Sequence, residues 1–156
     1  MTTVSMIHFT YRLTGPGWAL ATIRNERAEM AVPASYLCDA VRDLVDTVQS
    51  LFVRESAECT WEQEPGAVRW EFRRNGPNLN LSVRWHDDRA SFAGDDDLLR
   101  FSSEVDKEMD DLLTTWGPEP YLKEWRYPFP QEAHGKLKQA IRLERQRREA
   151  TSERRP

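Results

Sequence analysis

Residues 67–86, AVRWEFRRNGPNLNLSVRWH, decide how this chain folds. Val68, Trp70 and Phe72 share one parity, with Arg69, Glu71 and Arg73 on the other. After Asn75-Gly76-Pro77, the residues Leu79, Leu81, Val83 and Trp85 alternate with Asn80, Ser82, Arg84 and His86. Successive strand side chains point to opposite faces, so period two marks a half-buried antiparallel pair with one dry and one charged face. The Asn-Gly-Pro break supplies the turn between the two runs.

The same pattern extends outward. Glu58 to Gln63 puts Trp61 on the dry side, and Pro65-Gly66 turns the chain into the next strand. A weaker strand covers Arg89 to Phe92. Upstream, Val4 to Leu13 places Ile7, Phe9, Tyr11 and Leu13 on one parity, Gly15-Pro16-Gly17 forms a turn, and Trp18 to Arg24 returns as a hairpin. A short third strand runs from Glu29 to Val32 and stops at Pro33.

Two amphipathic helices interrupt the strands. Ser35 reads as an N-cap, followed by Leu37, Ala40, Val41, Leu44, Val45, Val48, Leu51 and Phe52 at spacings of three and four. Asp95, Asp96 and Asp97 precede the second helix, with apolar positions Leu98, Phe101, Val105, Met109, Leu112, Leu113 and Trp116, stopped by Gly117-Pro118. Pro118 to Pro130 is rich in Pro and rings and reads as an irregular strap with one helical turn at Tyr121 to Trp125. Residues 131–146 form a third helix on Leu137 and Ile141, and the last ten residues lack an apolar pattern and read as frayed.

The fold class is therefore α+β: one twisted antiparallel sheet of five to seven strands, covered on one face by two amphipathic helices, with a C-terminal aromatic strap and a third helix and tail. Residues 1–130 make a single domain and residues 131–156 a basic C-terminal extension. At 156 residues the chain buries enough surface to fold without staples. Apolar content of 39% against 31% charged residues implies a modest core, enlarged by six Trp, six Phe and four Tyr.

No window approaches the roughly 20 apolar residues that cross a bilayer, and the N-terminus lacks a basic, apolar leader, so a cytoplasmic location is expected and no membrane partner. Cys38 and Cys59 have no metal or redox spacing and read as free thiols. Eighteen of 22 basic residues are Arg, a bias of GC-rich, bacterial coding. From Lys136 onward eight basic residues face three acidic ones, whereas residues 1–135 carry 14 basic and 23 acidic groups, a net charge of -9.

Candidate chemistry is thin. Contiguous acids at Asp87-Asp88 and Asp95-Asp96-Asp97 cannot all converge on a cation and suit a turn and a helix start. Glu62, Glu64 and Glu71 are raw material for acid–base work, yet all lie on the wet parity beside Arg69, Arg73 and Arg84, where cross-strand ion pairing is the plainer account. His8, His86 and His134 show no metal-ligand spacing, and no GxSxG, Walker or GxGxxG motif is present. No catalytic residue, cofactor or metal site is assigned.

The layout is similar to that of many small bacterial cytosolic proteins, including immunity proteins that neutralise a partner toxin; the likeness is one of size, element order and acidic body. The expected function is non-enzymatic protein binding, with toxin immunity as its specific form, through Glu62, Glu64, Arg69, Glu71, Arg73 and Arg84. The partner is another protein or a second copy of the chain. Two alternatives stand beside it: a small-molecule binder or enzyme with a pocket lined by Trp70, Trp85 and Trp125, and nucleic-acid binding through Arg142, Arg145 and Arg148. The acidic body and the interrupting Glu144, Glu149 and Glu153 make nucleic acid the weaker of these.

Overall fold

The computed structural model describes residues 5–154; Val4, at the start of the expected first strand, and the last two residues lie outside them. Seven strands and four helices follow the order β1 (His8–Gly15), β2 (Trp18–Arg24), β3 (Glu29–Ser35), α1 (Ala40–Ser50), β4 (Ser56–Glu62), β5 (Ala67–Asn75), β6 (Asn78–Trp85), β7 (Ser91–Asp97), α2 (Leu98–Trp116), α3 (Pro118–Trp125) and α4 (Gln131–Glu153). The strands form two antiparallel meanders, β1-β2-β3 and β4-β5-β6-β7, rather than the single sheet that alternation suggested.

The break between sheets has a local cause. On the free edge of β3, Pro33 has no N–H to continue a ladder. Its carbonyl instead accepts from the Gln63 side-chain amide, and the Ser35 hydroxyl donates to Glu62 O at 3.1 Å. Ser35 therefore ends β3 and is not a helix cap. Asp39 precedes α1 without a side-chain capping bond, and Leu37 lies outside the helix, 45% exposed.

The two halves exchange helices. α1 follows the first sheet but packs on β4 of the second, while α2 follows the second sheet and packs on β1 of the first. α4 lies across both helices, as an outer layer on their far side from the strands. This replaces the expected pair of helices side by side on one sheet. Between the sheets and helices sits one core, with Trp61, Trp70, Trp125, Tyr121, Phe9, Phe72 and Phe101 its largest fully buried side chains. Trp61 and Trp70 meet at 4.8 Å between ring centroids, and Phe9 stands edge-on to Trp70 at 6.2 Å.

Three local details differ from the sequence pattern. β7 reaches Asp97, so Asp95 and Asp96 belong to a strand and only Asp97 caps α2, accepting from Leu99 N (2.9 Å) and Arg100 N (3.2 Å). Pro118 starts a full helix, α3, whose Tyr121 and Trp125 are buried. α4 continues to Glu153 instead of fraying near residue 146, because Arg148 bonds Asp97 at 2.9 Å and Arg145 bonds the Ser103 hydroxyl at 3.0 Å.

Gly17 shows why the first hairpin needs its glycine. Its φ is +74°, a Cβ there would meet Tyr36 Cδ1 at 2.6 Å, and its N–H donates to Glu124 O at 2.7 Å. The turn thus docks β1-β2 against both the β3–α1 connection and α3. No helix among the described residues is long and apolar enough to cross a membrane.

Candidate functional site

The outer face of β4–β7 is built by the strand alternation. Phe72, Leu81, Val83 and Phe92 point into the core, so Glu58, Arg69, Glu71, Arg73, Asn80, Ser82, Arg84 and Asp95 are directed outward. Of the six residues picked from sequence, Arg69, Glu71, Arg73 and Arg84 come together on this face. Glu62 stands at the end of β4, opposite Ala67, and Glu64 in the β4–β5 turn; both are exposed and neither has an ion pair among the described residues.

Register sets the electrostatics. Arg69 faces Arg84 across β5-β6, and Glu71 faces Glu58 across β4-β5, so like charges lie directly opposite each other. The diagonals are satisfied instead: Arg69–Glu58 at 2.7 Å, Arg69–Glu71 at 3.2 Å and Arg84–Glu71 at 3.4 Å. These side chains are between 37% and 57% exposed, so water screens each pair and it adds little stability. Arg73, between Ser56 and Asn80, has no carboxylate within 4.0 Å among the described residues.

Three concavities flank this face, one of them, of about 800 Å³, lined by residues that include Arg73, Asn80 and Asp95. A groove of about 700 Å³ runs between the C-terminal half of α1 and the β4 edge, lined by residues that include Thr47, Ser50, Arg54, Ser56, Glu58 and Arg73. At the opposite end a hollow of about 450 Å³ is lined by Thr60, Ala67, Arg69, Arg84, His86 and Asp88. His86 is held there by accepting the Ala67 N–H on Nδ1 at 3.2 Å. Glu58 and Arg54 were not among the residues picked from sequence. Glu58 shares the parity of Glu62 and was available to the same alternation; Arg54 is brought in by the α1–β4 connection and left no comparable signal.

Most residues of the competing sites are engaged by intramolecular partners. Trp70 and Trp125 are fully buried and Trp85 half-buried, with Arg89 4.3 Å over its ring, so these indoles do not share an open pocket. In the basic helix Arg148 is bound by Asp97 and Glu144 and Arg145 by Ser103, whereas Arg142 is exposed and has no ion pair among the described residues. Asp106, Asp110 and His134 hold ligand atoms within 4.8 Å of one another. There the Lys138 ammonium lies 3.0 Å from Asp106 and 2.8 Å from Asp110, while His134 Nε2 lies 2.7 Å from Asp106. The lysine already supplies the countercharge, and the group works as a polar clamp of α4 on α2. Its members come from two helices, which is why no sequence spacing marked it.

Cys38 and Cys59 are free thiols. Burial pushes the Cys59 thiol up to about 12 and raises Cys38 as well. The folded protein is therefore expected to alkylate far more slowly at about pH 8 than the urea-unfolded chain, read by mass shift. A raised thiol pKa leaves the native state fully stable below the unfolded value near 9.0 and costs stability as pH rises from there toward 12. A lower urea midpoint at about pH 10 than at about pH 8 is the expected result, and Cys59→Ala should shrink that difference. Comparison of the chain with protein-family models, curated proteins and solved structures finds no match.

Proposed function

We propose that this is a non-enzymatic binding protein that docks another protein through the outer face of β4–β7. The observation that carries the reading is the charge arrangement on that uncovered face: Arg69 opposes Arg84, Glu58 opposes Glu71, and Arg73 is left without a carboxylate. A partner that offers a carboxylate to Arg73 and exchanges with the exposed diagonal pairs gains specificity and a fast encounter. The net charge of -4 favours a partner with a basic surface, and neutralisation of a cationic toxin is the specific role we assign.

The test is retention of an identified partner from the source cell on immobilised protein, wild type against Arg69→Glu/Arg84→Glu. Circular dichroism should be unchanged, because exposed pairs carry little stability. Retention should fall at least about tenfold, as expected when interface charges are reversed. Equal retention by both proteins overturns the reading.

A further inference from the structure

Each sheet edge among the described residues carries at least one device that interrupts a continuous ladder, and each differs in how much it leaves free. At β1, the Ile7 N–H donates to Asp96 Oδ2 (2.8 Å), the Ile7 carbonyl accepts from Arg100, and the Tyr11 N–H donates to Glu108 Oε1 (3.3 Å). β3 carries Pro33, whose carbonyl is taken by Gln63. β7 is crossed by the β2–β3 turn: Asn25 donates to Ala93 O at 3.4 Å, and a Cβ on Gly94 would lie 2.8 Å from the Asn25 side chain. Such devices block adventitious strand pairing.

β4 is closed over only half its length. Gln63 N–H donates to Gly66 O and Arg74 N–H to Glu55 O, so odd-numbered residues of this strand bond β5 and even-numbered ones face the free edge. At the C-terminal end, the Cys38 thiol meets Thr60 O, Glu62 N–H meets Cys38 Sγ, and Ser35 meets Glu62 O. The N–H and C=O of Ser56 and Glu58 and the N–H of Thr60 have no partner among the described residues, and all three residues are exposed. Alongside them lies the 700 Å³ groove over Thr47 and Ser50 of α1. The groove runs along Ser56 and Glu58, and Thr60 lines the hollow at the other end of the open segment.

We propose that this open stretch of β4, Ser56 to Thr60, receives an extended strand of the partner protein, whose outward residues alternate acid, base, acid. The proposal rests on the protein-docking reading above and names how the partner attaches. Strand addition uses the row of free backbone groups for affinity and alternate side chains for specificity. An added strand sets its outward residues opposite Ser56, Glu58 and Thr60, about 4.8 Å away. Beyond the short side chains of Ser56 and Thr60 stand Arg73 and Arg69, and Arg54 lines the groove. Arg54 and Arg73 have no carboxylate within 4.0 Å among the described residues, whereas Glu58 at the centre pairs with Arg69 at 2.7 Å, so a base there competes for Glu58 and frees Arg69 for an acid opposite Thr60. Acids therefore suit the outer two positions and a base the middle one. A two-fold pairing of β4 with a second copy, centred on the same segment, would set Glu58 against Glu58, which disfavours that occupant.

The probe is the peptide Thr-Glu-Thr-Lys-Thr-Glu-Thr, added to the full chain at low salt. Thr suits an extended backbone, and the acid–base–acid order reads the same in either direction. Backbone amide shifts should change at Ser56, Glu58 and Thr60. The charge-swapped peptide Thr-Lys-Thr-Glu-Thr-Lys-Thr, and the original peptide N-methylated on its Lys amide, should each bind at least about tenfold more weakly. Arg73→Glu should reverse the preference between the two unmethylated peptides. The proposal is overturned by shifts confined to β7 or β3, by equal binding of the methylated peptide, by no shifts at about millimolar peptide, or by a dimer of the chain protected along β4. If Arg69→Glu/Arg84→Glu releases the natural partner while a folded Glu58→Pro retains it, the docking face stands and the edge is excluded.

Discussion

Replacement of Trp70 by alanine is expected to lower the unfolding free energy by about 3–5 kcal/mol, measured by urea titration of circular dichroism. A domain of this kind has only about 5–15 kcal/mol in total, so the variant sits at the edge of folding. Trp70 is fully buried, tilted against Trp61 at 4.8 Å and met edge-on by Phe9, so the loss leaves a void bordered by stiff rings from both sheets. Rings of that size cannot collapse into it. Trp70→Phe should cost much less, for two reasons: it keeps most of the volume, and it removes an indole N–H that has no hydrogen-bond partner. A cost below about 1 kcal/mol for Trp70→Ala would show that the inter-sheet core repacks freely, contrary to the tight packing expected of such interiors.

The second large effect is expected at Asp96. Its carboxylate is fully buried and accepts from Ile7 N (2.8 Å) and Arg100 (2.7 and 2.9 Å), and also from the Asp97 N–H. Three elements meet there: the start of β1, the end of β7 and the first turn of α2. Asp96→Ala leaves the partly buried Arg100 guanidinium with only Glu104, at 3.3 Å, and the Ile7 amide without an acceptor, at a cost of about 3 kcal/mol. Asp96→Leu combined with Arg100→Met should recover part of that loss, because the ion pair is replaced by apolar contact while the Ile7 amide still lacks its acceptor. Faster hydrogen exchange at the Ile7 amide in Asp96→Ala would locate the damage at this junction. Unchanged exchange there, with stability lost, would place the defect elsewhere.

Alternation was a faithful guide wherever both neighbours of a strand are close in sequence. Val68, Trp70, Leu81 and Val83 are buried, and Arg69, Arg73 and Arg84 are exposed, as the parity requires. Element order and the amphipathic helices were legible for the same reason. The division into two sheets was not, because it depends on what Pro33 and Ser35 meet at the far end of β4, a long-range fact invisible to local periodicity. Asp95 and Asp96 read as a helix start from composition alone. Only the distant Ile7 and Arg100 give Asp96 a reason to sit inside a strand.

The candidate face divides the same way. Its charged residues follow from parity, but the pairing that sets Arg69 against Arg84, and Glu58 against Glu71, depends on register. The open half of β4 is less legible still. It is defined by which groups elsewhere do not reach it, and no pattern within residues 56–60 records that. The aromatic segment after Gly117 was readable as a packed strap, though its helical half was hidden by two prolines that serve as an N-terminal first turn.

The exchange of helices between the sheets bears on how the chain comes into being. The first meander leaves its apolar side bare until the second sheet and α2 arrive, since Phe9 packs on Trp70 and Phe101 and Tyr11 on Trp61. During synthesis the first hairpins therefore emerge well before α2, and the nascent segment must wait with Ile7, Phe9 and Tyr11 uncovered. Structure then forms late and all at once, through contacts distant in sequence, a route that is slow and favours chaperone attention. Severing the molecule between α1 and β4 would yield two pieces that are each incomplete, so the smallest heritable unit of this architecture is the interlocked pair.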